Sequence, residues 1–161
     1  MKLDLSAAKY NFVASLAGYS LLCYVLQIKD RHNGNILLDT LGHLIHIDFD
    51  FFLSNSPGNN FQFEQAPFKL TSEYIELMEG INSEYFLHFR KLMTKGFLVL
   101  QEEYKKIVVL TAMMLSVNQN LPCFVGKEKI ISGLNARLFP HCRTKQLVVM
   151  SEREASKFID Q

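Results

Sequence analysis

The sequence predicts a mainly α-helical fold carrying one small β-hairpin. Three observations predict it. Apolar residues recur at three- and four-residue steps through most of the chain. Two short apolar runs bounded by a turn stand between Ile36 and Asp48. Of 161 residues 48% are hydrophobic and 20% charged, enough apolar side chain to bury one domain's core and too much for a disordered tail.

The first helix is expected over Ala7–Gln27, where Phe12, Leu16, Tyr19, Cys23 and Leu26 form a stripe. Ala14, Ala17 and Gly18 are small enough to let another helix approach. A polar block, Lys29-Asp30-Arg31-His32-Asn33-Gly34-Asn35, follows. Ile36–Asp39 and His43–Asp48 then read as a hairpin around Thr40-Leu41-Gly42, although Leu41-Gly42 is not the favoured Asn-Gly pair. Asp48 sits where the second strand leaves the sheet. Asp50–Pro67 reads as a long irregular loop. Pro57-Gly58-Asn59-Asn60 makes a turn in it, and Phe51, Phe52, Phe61 and Phe63 pack it down or meet an apolar partner. Thr71 is placed as the cap of a helix to Glu79, and Ser83 as the cap of Glu84–Gln101. The latter's stripe is Leu87, Arg90, Met93, Phe97 and Leu100, weakened at Gly96. Glu102–Val117 presents Ile107, Leu110, Met114 and Val117. Lys127–Leu138 and Thr144–Phe158 are two more amphipathic helices, the last without an evident cap.

Composition narrows the function classes. The net charge of +1 is far from that of a protein holding nucleic acid by bulk electrostatics, so no nucleic-acid partner is expected. No secretory signal is evident at the start, and no apolar run approaches a membrane span, so any membrane contact is expected to be peripheral. Cys23, Cys123 and Cys142 are too dispersed for a disulfide framework or a metal knuckle and read as reduced thiols of a cytoplasmic protein. His43 and His46 are placed on one strand face, with no third ligand at sensible spacing.

The chemistry-bearing groups cluster around the hairpin. Asp30, His32, Asn35 and Asp48 are brought toward one point, since a hairpin returns its outer ends to each other. One carboxylate and one amide oxygen suit Mg²⁺ completed by phosphate oxygens. A second carboxylate or an imidazole can orient a hydroxyl and accept its proton. Together these make a minimal phosphoryl-transfer set. From composition alone the run is also a plain solvated turn; the flanking strands place it at a buried rim instead.

Lys29 to Ile36, then Leu38-Asp39, Gly42-His43 and Ile45 to Phe49, resemble the catalytic and metal-binding loops of the phosphatidylinositol 3-/4-kinase superfamily. Ala17-Gly18-Tyr19-Ser20 and Cys23 to Gln27 narrow the resemblance to phosphatidylinositol 4-kinases. Phe52 to Gly58, Phe63-Glu64, Ala66 to Thr71 and Leu121 to Phe124 are similar to the type III beta branch. The resemblance covers roughly Asn11–Leu138. It implies a protein-kinase-like C-terminal lobe, with residues 1–161 forming a partial catalytic domain. The N-terminal lobe, which carries the phosphate-covering loop, and a final C-terminal helix are expected to lie outside it. It implies that Asp30 orients or deprotonates the inositol hydroxyl and that His32 acts as base or stabilises the transferring phosphoryl group. It implies that Asn35 and Asp48 hold Mg²⁺ on ATP, and that Lys69 in a Phe51–Lys69 activation loop meets the headgroup. Arg31 is expected to tie its loop to neighbouring acidic groups.

The parent reaction implied is ATP plus phosphatidylinositol giving phosphatidylinositol 4-phosphate and ADP, at a Golgi membrane surface. A single cation in the activation loop suits a headgroup without extra phosphates. Asp50 stands where the family has glycine after Asp-Phe. It is expected to strain the backbone there and to add a carboxylate near the metal. With the phosphate-covering lobe expected outside it and Asp50 in place of glycine, the isolated chain is expected to be inactive. The alternative is a non-catalytic pseudokinase-like or truncated module, binding the missing lobe, a regulatory protein, a membrane surface or itself. A protein-kinase relative is a third reading, opposed by the order Asp30-Arg31-His32.

Overall fold

The computed structural model describes residues 4–57, 66–118, 120–124, 127–140 and 147–161. Six helices and one hairpin follow in order: α1 (Leu5–Leu26), β1 (Ile36–Leu38), β2 (Leu44–His46), α2 (Ser72–Leu77), α3 (Glu84–Glu102), α4 (Tyr104–Val117), α5 (Lys127–Leu138) and α6 (Glu152–Ile159). Two 3₁₀ turns, Asn33–Asn35 and Pro122–Phe124, complete the described elements. The expected mainly helical architecture with one antiparallel hairpin is what forms.

α1 begins at Asp4, whose carboxylate accepts from the amides of Ser6 and Ala7. It is the central helix, packed by α3, α5 and β2. Phe12, Val13, Leu16, Ala17, Leu21, Cys23 and Val25 are all buried, a wider face than the single stripe expected. Gly18 meets nothing within 4 Å, so it is not the point of close approach. Gly96 of α3 is, because a Cβ there would overlap the Leu21 side chain. The main core joins Phe12, Leu16 and Leu21 to Leu44, Phe89, Met93, Phe97 and Ala155.

Thr71 and Ser83 cap α2 and α3 as expected, accepting from the amides of Tyr74 and Phe86. α2 ends at Leu77, two residues before the expected Glu79. Three helical expectations are corrected. α4 buries Thr111 and Leu115, while Leu110, Met114 and Val117 face outward, at 62%, 47% and 80% exposure. The helix is apolar nearly all round, so α3 and α5 decide which face is covered. In α3, Leu87 is exposed and Arg90 pairs with Asp160, just after α6, rather than lining the core. The final helix starts at Glu152, and residues 147–150 precede it without helix. It has a full capping box between Ser151 and Glu154, a Ser-x-x-Glu signal legible in the sequence. Residues 144–146 of the expected helix lie outside the described residues.

β1 pairs β2 in the register Ile36↔His46, Leu37↔Ile45 and Leu38↔Leu44. Asp39 organises the turn, accepting from the amides of Leu41 and His43 and pairing with the His43 imidazole at 2.9 Å. Gly42 carries φ +92, and a Cβ there would collide with the backbone of Ala8 in α1. The hairpin therefore docks on α1 through a position that only glycine fits. Gly42→Ala is expected to cost about 2–3 kcal/mol in urea unfolding; a cost under about 0.5 kcal/mol would show that the turn is not pressed against α1.

Residues 50–57 and 66–67 carry no α-helix or strand, as expected of the long loop. Phe52 packs against the cluster of Leu115, Cys123, Phe124 and Ile130. Gly58 to Glu64, including Phe61 and Phe63, lies outside the described residues, as does Cys142. Cys23 and Cys123 are buried and form no disulfide with each other.

Candidate catalytic site

The site is built where α1 stops. Gln27 takes a left-handed φ of 53°, ending the helix, and Asp30 takes φ 63° three residues later. These two reversals swing Lys29–Asn35 across the exit of β2. The Lys29 amide donates to the Phe51 carbonyl at 2.9 Å, and the Leu53 amide to the Leu26 carbonyl at 2.7 Å. The catalytic-type loop and the segment after Asp48 are thus laid side by side.

Arg31 locks them together. It is 4% exposed, and its guanidinium donates to the carbonyls of Lys29 and Ile47, each at 2.9 Å, and to that of Asp48. Its carbon also lies 5.4 Å from the Phe49 ring centre. Three of its bonds go to backbone carbonyls on the two adjoining segments, Lys29 on one and Ile47 and Asp48 on the other. A planar fork with several fixed donors suits that task.

Asn35 is buried. Its Nδ2 donates to the Asp30 carbonyl at 2.9 Å, and its own carbonyl accepts from the Ile47 amide. With Nδ2 so engaged, Oδ1 is the end of the amide left for a cation. Asp48 follows β2 with φ 58°, its side chain exposed. No hydrogen bond to its carboxylate occurs among the described residues. Asn35 Oδ1 and the Asp48 carboxylate are hard oxygen donors, the chemistry Mg²⁺ takes. Among the described residues no group of three His, Cys, Asp or Glu side chains gathers for a metal.

His32 projects outward and accepts from the Gly34 amide through Nδ1 at 3.0 Å. That bond assigns the proton of the neutral ring to Nε2, which lies 3.9 Å from Asp30 Oδ2. The pair is adjacent but not hydrogen-bonded. Lys69 reaches the same rim, its Nζ donating to Asn33 Oδ1 at 2.5 Å. Ile28, Arg31, Ala66, Phe68 and Lys69 line an open cavity of about 300 Å³ there. The loop of Asp30, His32 and Asn35 is thus tied to the Asp48 carbonyl through Arg31 and to Lys69 through Asn33, while no bond to the Asp48 carboxylate joins it to the other side chains among the described residues.

The expected strain at Asp50 is absent. Its φ is not positive; the left-handed residues here are Asp30, Asp48 and Leu53. Asp50 is exposed and its carbonyl accepts from the Asn55 side chain.

His46 is turned inward instead of sharing a face with His43. It is 8% exposed, stacks on Tyr19 at 4.1 Å, and has Cys23 Sγ 3.9 Å from Nδ1. Burial, then the charges of Arg31 and Lys69, push its pKa down from 6.5 to about 4. Between those pH values the unfolded chain binds a proton that the folded site refuses. Stability therefore falls as pH drops from 6.5 towards 4 and levels off below, by on the order of 2 kcal/mol. His46→Phe keeps the stack and is expected to flatten this part of the profile in urea titrations at pH 7.5 and 4.5. An unchanged difference between the two would exclude His46 as its source.

Residues 2–125 match the protein family described as phosphatidylinositol 3- and 4-kinase. The chain belongs to that family. It is 46% identical over 153 residues to a phosphatidylinositol 4-kinase of Dictyostelium discoideum, covering 95% of this chain and 13% of the relative. It is 49% identical over 145 residues to phosphatidylinositol 4-kinase beta 2 of Arabidopsis thaliana, covering 88% of this chain and 13% of that protein. With phosphatidylinositol 4-kinase beta of Danio rerio it shares 45% over 146 residues, 91% of this chain and 17% of the relative. The chain thus spans roughly an eighth to a sixth of the length of these relatives. It is closely related to the beta kinases over most of its own length, and its mostly helical fold with one hairpin is consistent with a kinase C-terminal lobe.

Proposed function

We propose that this chain carries the phosphoryl-transfer half of a phosphatidylinositol 4-kinase. The observation that carries the reading is that buried Arg31 bonds the Asp48 carbonyl while buried Asn35 bonds the carbonyls of Asp30 and His32, so that the backbones bearing these side chains lie on adjoining loops. Asp30 accepts the proton of the attacking inositol hydroxyl. His32, whose Nε2 carries the proton, donates to the transferring phosphoryl group rather than acting as base. Asn35 Oδ1 and the Asp48 carboxylate hold Mg²⁺; the bound ion offsets the charge of the ATP phosphates. Lys69 offers its ammonium to the anionic headgroup at the cavity beside Arg31 and Phe68.

The lipid headgroup would meet this rim at a membrane surface on the cytoplasmic side. No described helix is long and apolar enough to cross a membrane. Beside the site, Leu37 and Ile45 are paired in register and exposed, and Ile47 and Phe49 continue the strip. That apolar face favours a covering partner: the lobe that closes over ATP, a regulatory protein, or a second copy. A partner-bound module with no chemistry of its own is the second reading. A species that stays monomeric at high concentration, by sedimentation, would remove the second copy.

The test is Mg²⁺-dependent transfer of the ATP γ-phosphate to phosphatidylinositol in mixed micelles, with this chain joined to the lobe that closes over ATP. Phosphatidylinositol 4-phosphate as product supports the reading. Transfer to a generic peptide instead of lipid would replace it with a protein-kinase reading. No transfer to either would favour the partner-bound module.

A further inference from the structure

We propose that Asn33 is a positioning residue for anionic headgroup recognition, holding the Lys69 ammonium at the catalytic loop without cancelling its charge. The inference rests on the headgroup reading of Lys69 given above. Lys69 is fixed at its root, because Phe68 and Leu70 on either side both pack against the core. Its tip is fixed by the 2.5 Å bond to Asn33 Oδ1. Asn33 is itself set by the 3₁₀ turn, closed by the Asn35 amide on the His32 carbonyl at 3.0 Å and capped by the His32 ring. A free lysine tip would lose its rotamer freedom on binding; one already held has less to lose. The acceptor is neutral. One of three ammonium donors goes to Asn33, leaving two N–H groups and the full positive charge for a phosphate. Among the described residues no carboxylate lies within ion-pair distance of Lys69. An aspartate at position 33 would supply one and neutralise the lysine.

The test is an NMR titration of this chain with glycerophosphoinositol, a singly charged phosphodiester, at low and high salt, with neutral myo-inositol as control. Asn33→Ala is expected to weaken glycerophosphoinositol about fivefold. Asn33→Asp is expected to weaken it as far as Lys69→Ala does and to remove the same salt dependence. Neither Asn33 variant should change myo-inositol binding or the melting temperature, since Asn33 is exposed. If Asn33→Asp keeps wild-type affinity and salt dependence while Lys69→Ala loses both, the positioning role is overturned and the headgroup role of Lys69 stands. If Lys69→Ala binds like wild type, both are overturned.

Discussion

In a protein that joins this chain to the lobe closing over ATP, Asp48→Asn is expected to lower Mg²⁺-dependent phosphoryl transfer to phosphatidylinositol about a thousandfold, and in the chain itself to leave the melting temperature unchanged. The carboxylate is the only charged member of the proposed Mg²⁺ pair; Asn35 contributes a neutral oxygen. Changing one oxygen to an amide removes that charge at constant shape. The fold should tolerate it, because the side chain is exposed and asparagine accepts the left-handed φ of 58° nearly as well as aspartate. A second readout does not depend on turnover. Mn²⁺·ATP added to the parent chain should broaden the amide signals of Asn35 and Asp48, and Asp48→Asn should abolish that broadening. Transfer or broadening that survives the substitution would place the metal elsewhere.

Arg31→Lys is expected to destabilise the chain by about 3 kcal/mol. Arg31 is nearly inaccessible, and its guanidinium serves carbonyls on both loop segments of the site. A lysine ammonium is a point donor and cannot span Lys29, Ile47 and Asp48 together. At least one buried carbonyl is left unsatisfied, at roughly 1–3 kcal/mol each, and the charge-assisted bonds are lost. The unfolding midpoint in urea measures this. The same variant should lose the protection of the Lys29 and Leu53 amides in hydrogen exchange, because both bridge the loops that Arg31 binds. A cost below about 0.5 kcal/mol would show that the loops hold together without it.

Much of this molecule was legible in its sequence because the deciding contacts are local. The caps Thr71 and Ser83 act on amides three residues away, and the hairpin closes over five residues. The polar run from Asp30 to Asn35 was visible as chemistry and as a family signature for the same reason. The capping box of α6, Ser151 with Glu154, is equally local. Other features were not local. The buried face of α4 depends on α3 and α5, because the helix offers apolar residues on several sides. The bond between Lys69 and Asn33 spans 36 positions, and nothing in either residue's neighbourhood announces it. The carbonyl partners of Arg31 exist only once two irregular loops lie side by side. The backbone at Asp50 likewise follows from where its loop is tied down, not from its residue type.

By itself, then, the sequence determined the helices, the hairpin, the family and the residues available for chemistry, since periodicity and spacing act within a few residues along the chain. Only the tertiary structure decided what Arg31 holds, where Lys69 points, that His46 turns inward and which helix face stays bare, since those depend on distant segments meeting and on the burial that their meeting creates.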